Sequence, residues 1–276
     1  MDVVELLSRR AVRSLERLAS TLRAGNLPFA VIGASALLMH RVRLPRTTRD
    51  LDLAVTVRGG LDAARAILLE AGFSDTRIPH RFTTEDSDEI DILAVDPSHE
   101  PAHEIILSDG ERIEAIGLPE AVQHAVPMAL GSSRLPVAPL PLLIAIKLWT
   151  AASDTRPHDL ADACASMEAY ELSGTRRFDI DHERLDGLTF ETSGAFLAGL
   201  DVVDLAAPAT RSSILDGIDR LIATEPLSKH AADGPWRRAL VWAYRLGIAT
   251  AARSTRHTSE SPRTPRSPRM HSGTTE

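Results

Sequence analysis

A single cysteine, Cys164, rules out an internal disulfide and a cysteine-built zinc site. Aromatic residues occupy only 4% of the 276 positions, so a core must be packed from Leu, Ala, Ile and Val. No apolar run approaches the roughly 18 residues that a membrane-spanning helix needs. The first residues, Met-Asp-Val-Val-Glu, are acidic where a secretory leader would be basic and then apolar. A soluble, cytoplasmic protein without a membrane partner is therefore expected. An excess of positive charge is also missing. The net charge of -7 excludes a wholly basic nucleic-acid coat, though it leaves room for one basic groove.

What is present suits one large or two ordinary domains: 43% hydrophobic and 25% charged residues. Apolar positions Val4, Leu7, Val12, Leu15, Leu18 and Leu22 predict a helix over 3–23, closed by Gly25-Asn26. Phe29–Ile32 reads as a buried strand, Gly33-Ala34-Ser35 as a tight turn and Ala36–Met39 as a short helix. A basic, threonine-bearing loop then leads to a strand carrying Asp50 and Asp52. A helix follows over Leu61–Ala71, ended by Gly72. Strands are expected at Arg81–Thr84 and Glu89–Val95, with a hairpin of His103–Leu107 and Arg112–Ile116 around Asp109-Gly110. Further helices are predicted at Pro119–Ala125, Leu142–Ala152, Asp159–Ala169, 195–205, 212–223 and 235–252. Ser173–Arg177 resembles a linker. The residues from about Ser254, rich in Ser, Thr, Pro and Arg, are expected to be disordered. Early alternation of strands and helices, followed by a run of strands, points to an α/β (α+β) fold with a small mixed sheet flanked by helices.

The chemistry concentrates between Phe29 and Val55. Asp50 and Asp52, two apart on a strand, share one face, while Leu51 and Leu53 take the other. Adjacent carboxylates repel unless a cation lies between them, a pattern suited to Mg²⁺. On the Glu89–Val95 strand, Asp91 would converge with them if the two strands are neighbours. Two of the three acids could then hold metal while the third deprotonates an attacking hydroxyl. The alternative is a solvated strand end paired with Arg49. A strand, a Gly-x-Ser turn and a helix start also offer backbone N–H groups and a hydroxyl to a phosphate; otherwise Ser35 is simply an N-cap. Thr47, Thr48 and Arg49 add hydroxyls and a cation. Lys147, on an apolar helix, reads alone as a snorkelling edge residue, and Asp159, with Asp162, as a helix-start acid. The histidines, His99 and His103 included, read as surface residues.

Gly-Ala-Ser, then Thr-x-Asp-Leu-Asp-Leu, then Ile-Asp-Ile-Leu resembles the nucleotidyltransferase superfamily of the DNA polymerase beta type. Pro139–Leu148, followed by Arg156-Pro157-His158-Asp159-Leu160-Ala161-Asp162, is similar to the AbiEii-type toxin family within it. The resemblance covers roughly residues 25–170. It implies Mg²⁺-dependent transfer of a nucleoside monophosphate from an NTP, with the tRNA 3′ end as acceptor and an antitoxin as partner. It also implies roles: Gly33 and Ser35 in the phosphate turn, Asp50 and Asp52 as metal carboxylates, and Asp91 as the third acid. Thr48 and Arg49 flank the nucleotide, Lys147 meets its phosphates, and Asp159 and Asp162 form the terminal acidic pair. Two positions depart from the family pattern. His158 stands where the toxins have Arg or Lys, and Ala34 where many relatives have Gly or Ser.

On this reading residues 1–135 form the nucleotidyltransferase core. Residues 136–252 form a helical region completing the cleft, with a soft boundary near 175, and 253–276 a disordered tail. Two other functions fit the residues: adenylation of a small hydroxyl compound such as an aminoglycoside or lincosamide, or a non-catalytic, antitoxin-like nucleotide-binding protein.

Overall fold

The computed structural model describes residues 7–44, 50–85, 87–98, 104–107, 110, 112–153, 157–223, 227 and 232–259, with the backbone alone at 157 and 254–259. Helix α1 (Arg9–Ala24) is capped by the Ser8 hydroxyl, which accepts from the Ala11 N–H at 3.1 Å. It buries Val12, Leu15, Leu18, Ala19 and Leu22. The left-handed residue that ends it is Asn26 (φ 54°), while Gly25 keeps an ordinary φ of -77°. Strand β1 (Phe29–Ile32) and the seven-residue helix α2 (Gly33–Met39) follow directly. Then come β2 (Leu51–Thr56), α3 (Gly60–Glu70), β3 (Ser74–Asp75), β4 (Arg81–Thr83) and β5 (Glu89–Val95).

The expected hairpin is present as β6 (Glu104–Ile106) and β7 (Arg112–Glu114), an antiparallel pair forming its own small sheet. Helix α4 (Leu118–Gln123) precedes a second hairpin, β8 (Val126–Leu130) and β9 (Ser133–Val137), which the sequence pattern had not indicated. The main sheet is mixed and seven-stranded, in the order β3-β4-β5-β2-β1-β9-β8. The pairs β2/β5 and β1/β9 are parallel; the other four are antiparallel. Central strands β1 and β2 run among buried Val31, Leu51, Leu53 and Val55, as strands covered on both sides must.

The remaining helices are α5 (Leu140–Ser153), α6 (Pro157–Ala169), α7 (Ser193–Leu205), α8 (Pro208–Ile222) and α9 (Gly234–Ser259), with two 3₁₀ turns at Arg176–Asp179 and His182–Arg184. Helix α5 is nearly all buried and packs on α6, α7 and α8. Where α7 crosses α9, Gly199 and Gly247 let the backbones touch. A methyl at Gly199 would lie 2.0 Å from the Tyr244 carbonyl oxygen, and one at Gly247 2.1 Å from that of Phe196.

Residues 173–177, expected as a linker, are tied down instead. Buried Arg177 donates to the Glu168 (2.7 Å) and Tyr170 carbonyls at the end of α6, where orphan acceptors need partners. Arg176 forms a bidentate pair with Asp201 at 2.6 and 2.7 Å, and the Tyr170 hydroxyl donates to the same carboxylate. Glu120 on α4 is buried; its Oε1 accepts from the Thr210 hydroxyl (2.5 Å) and the Ala207 N–H (3.2 Å), closing the start of α8. Helix α9 continues to Ser259, past the expected start of the tail; residues 260–276 lie outside the described residues.

Candidate active site

Gly33, between β1 and α2, has a φ of +64°, the left-handed region that glycine adopts without strain. It also has no room for a side chain. A Cβ built there would lie 1.9 Å from Asp52 Oδ2 and 2.9 Å from Asp52 Cβ. The register explains this contact: Ile32 pairs with Asp52 across the antiparallel β1/β2 ladder, so the turn folds directly over that carboxylate. Ser35 is fully buried, and its hydroxyl donates to the Asp50 carbonyl at 2.9 Å, fastening the start of β2 to α2.

The alternation expected for β2 and β5 is present. Leu51, Leu53, Ile90 and Ile92 are buried on one face, while Asp52 and Asp91 are mostly buried with a small exposed fraction and Asp50, just before β2, is exposed. Asp52 and Asp91 are direct partners in the parallel β2/β5 register. Neighbouring strands lie about 4.8 Å apart, so the two carboxylates project side by side. Burial pushes the Asp52 carboxyl up to about 7; Asp91 and Asp50 add to the rise, while Lys147 and Arg81 oppose it.

Arg81 was not anticipated as a site residue. It lies opposite Asp91 in the antiparallel β4/β5 register and grips it bidentately, Nε to Oδ1 at 2.7 Å and a terminal nitrogen to Oδ2 at 2.8 Å. Its third nitrogen reaches Glu89 at 3.0 Å. The hydrogen bonds to Asp91 are the main reason that the Arg81 pKa is raised. A sequence signal existed: two strands separated only by residues 84–88 must form a hairpin, and counting back from Asp91 reaches Arg81.

From the helical side, α5 delivers Lys147. Its ammonium is not snorkelling to water but is hydrogen-bonded to Asp159 Oδ1 and lies 3.4 Å from Asp162 Oδ2, with all three side chains largely buried. Asp159 and Asp162 sit one turn apart on α6, so both face the lysine. His158 is exposed, 3.9 Å from Asp159. The structure therefore places Gly33 and Asp91 directly beside Asp52, with Asp50 and Lys147 within electrostatic reach of it and Asp159 and Asp162 against the lysine. Thr47, Thr48 and Arg49 lie outside the described residues, as do His99 and His103.

Among the described residues no group of three His, Cys, Asp or Glu side chains is arranged to hold a metal ion. Both Asp91 oxygens accept from Arg81, and Asp50 and Asp52 are the other two carboxylates of the group. That pair fits a hard divalent cation. Burial beside two other carboxylates disfavours the ionised form of Asp52, a penalty that a cation would remove.

Residues 16–213 match the family model described as "Nucleotidyl transferase AbiEii toxin, Type IV TA system". The chain belongs to the AbiEii nucleotidyltransferase toxin family. It is accordingly a nucleotidyltransferase, and its membership attaches it to toxin–antitoxin systems. Comparison with curated proteins finds no match. Among solved structures this AbiEii-family chain is similar to a nucleotidyltransferase-like protein from Paracoccidioides brasiliensis, with 15% identity over 75% of this chain and 94% of the other and a TM-score of 0.40. It is similar to the antibiotic-resistance factor ANT(2'')-Ia, with 15% identity, coverage of 67% and 99%, and a TM-score of 0.38. The nucleotidyltransferase toxin MenT4 from Mycobacterium tuberculosis H37Rv gives 15%, 89% and 85%, and a TM-score of 0.34. Among the described residues no helix is long and apolar enough to cross a membrane.

Proposed function

We propose that the protein moves a nucleoside monophosphate from an NTP to a hydroxyl of RNA, with the tRNA 3′ end as acceptor and Mg²⁺ as cofactor, and acts as the toxin of a toxin–antitoxin pair. The observation that carries this reading is the environment of Asp52, enclosed under Gly33, beside Asp91 and Asp50, and within electrostatic reach of Lys147 and Arg81. Asp50 and Asp52 would hold the metal ion, whose contribution is to offset phosphate charge and orient the α-phosphorus. Lys147, held between Asp159 and Asp162, is positioned to meet the NTP phosphates. Asp91 accepts the proton of the acceptor hydroxyl. The freed oxygen forms a bond to the α-phosphorus as the bond to the pyrophosphate leaving group breaks.

Family membership supports a cellular macromolecule as the target rather than a drug. Exposed Arg41 and Arg43, which precede Asp50 in the segment between α2 and β2, supply positive charge of the kind that a polyanionic acceptor needs. The test supplies Mg²⁺ and each labelled NTP with total tRNA, or with a panel of aminoglycosides and lincosamides. Label on tRNA that disappears with Asp52→Asn is the expected result. Label on a drug alone would replace the acceptor, and no transfer from any NTP would overturn the catalytic reading. Co-expression with the neighbouring gene product, restoring growth to cells that express the active protein, checks the antitoxin partner.

A further inference from the structure

We infer that the surface around Phe178 and Phe190 is the dock for the chain's own Ser/Thr-Pro-Arg segment, residues 261–269. In a chain with only six phenylalanines, these two lie exposed and side by side. Phe178 is 74% and Phe190 44% exposed, with ring centroids 5.0 Å apart and planes tilted by 46°. Phe178 shares its 3₁₀ turn with Asp179. Asp179 in turn helps to line a groove of about 340 Å³, together with Asp181 and the apolar Ile180, Leu185, Leu197 and Leu200. The surrounding segment is negative. Residues 171–191 contain six acids, Glu171, Asp179, Asp181, Glu183, Asp186 and Glu191, against three arginines. Arg177 is buried on backbone carbonyls, Arg176 is committed to Asp201 and Glu171, and Arg184 pairs with Asp181 at 2.9 Å. An exposed aromatic pair beside an apolar groove with acids on its wall suits a ligand that joins stiff apolar rings to positive charge.

The chain carries such a ligand. Residues 261–269 read Ser-Pro-Arg-Thr-Pro-Arg-Ser-Pro-Arg, three basic steps without an acid. Proline at every third position favours polyproline II, which has three residues per turn. Pro262, Pro265 and Pro268 would then share one edge, to lie on the rings, and Arg263, Arg266 and Arg269 the next, to meet the acids. Docking loses little entropy, because proline fixes φ beforehand. The path also closes. Helices α7 and α9 cross antiparallel, with Gly199 against Tyr244 and Gly247 against Phe196. The end of α9 therefore runs past the start of α7 at Ser193, three residues after Phe190. Helix α9 continues for twelve residues beyond Gly247, about 18 Å. Residues 260–269 reach about 31 Å as polyproline II, enough to return along it.

The experiment uses the 276-residue chain labelled with fluorophenylalanine and carrying a nitroxide on Ser272→Cys; native Cys164 is buried and stays unlabelled. The fluorine resonances of Phe178 and Phe190, assigned with Phe178→Leu and Phe190→Leu, should lose intensity. Those of Phe29, Phe73 and Phe82, buried in or beside the main sheet, should keep theirs. Arg263→Gln, Arg266→Gln and Arg269→Gln together should restore the two signals. So should salt of about 1 M, where the screening length falls to about 3 Å. Equal broadening of every resonance, or broadening that the triple variant leaves unchanged, overturns the dock. Broadening that appears between nitroxide-bearing and fluorinated chains in a mixture moves the segment to a second copy and overturns the intramolecular assignment. Two unbroadened resonances, with weaker tRNA binding by the triple variant, give the arginines to RNA and overturn it as well.

Discussion

Two cations approach Asp52, and each is held by a pair of carboxylates, but in different surroundings. Lys147 lies between Asp159 and Asp162 inside the helical layer, where the Asp162 side chain is 0% exposed. Arg81 lies between Asp91 and Glu89 at the open side of the sheet, where the Glu89 side chain is 54% exposed. The charge pattern is the same, and access to water decides what each can do. In the buried clasp no partner can leave without abandoning a charge in a dry interior. The open clasp has one partner that water can replace at small cost. In the function proposed above, the first clasp presents Lys147 to phosphates and the second orients Asp91.

Breaking the buried clasp should have the largest effect. Lys147→Met leaves two buried carboxylates facing each other and is expected to cost about 3–5 kcal/mol in urea unfolding and to abolish turnover. Arg81→Met should cost less than half of that. Equal losses would remove the distinction between the clasps. Next comes the point that both cations address. Gly33→Ala adds a methyl at a position 1.9 Å from Asp52 Oδ2. It is expected to lower turnover at least about a hundredfold by displacing the carboxylate, with a stability loss of about 1–2 kcal/mol from the left-handed backbone.

The third prediction concerns pH. The carboxyl of Asp52 is raised in the folded protein, so metal-free native protein holds a proton that the unfolded chain releases above pH 4. Its stabilising contribution is present at low pH and is lost as pH rises through about 7. In EDTA, wild-type stability should therefore fall between pH 4 and 8, and Asp52→Asn should remove that fall. The displacement from 3.8 to about 7 bounds that fall to about 4 kcal/mol. Thermal unfolding across pH checks it; an Asn variant with the wild-type slope would point to another group. Smallest is Glu89→Gln, which removes only the water-accessible half of the Arg81 clasp and should change stability by less than about 1 kcal/mol.

Much of the sheet could be read from residue patterns because its strands obey simple alternation. Glu89–Val95 has the bounds that its Ile-Asp-Ile core suggested, and the shared face of Asp52 and Asp91 followed from a period of two. The β8/β9 hairpin was hidden by chemistry that usually argues against strands. Pro127 and Pro136 each lack an N–H, yet they sit opposite one another within the β8/β9 ladder. The Ser35 tie and the Arg81 fork were hidden for another reason. Each depends on which strand lies beside which, a property of tertiary register that no local window contains. Lys147 reads as a surface residue until Asp159 and Asp162 are placed on the adjoining turn of another helix.

Glu120 has a wider consequence. Its single oxygen terminates α8, while the helix that carries it packs against β2, the strand of Asp52. The far helices and the catalytic floor therefore share a fixed strut rather than a hinge. A tilt of α8 would therefore be passed through Glu120 to the helix that packs on β2, the strand of Asp52.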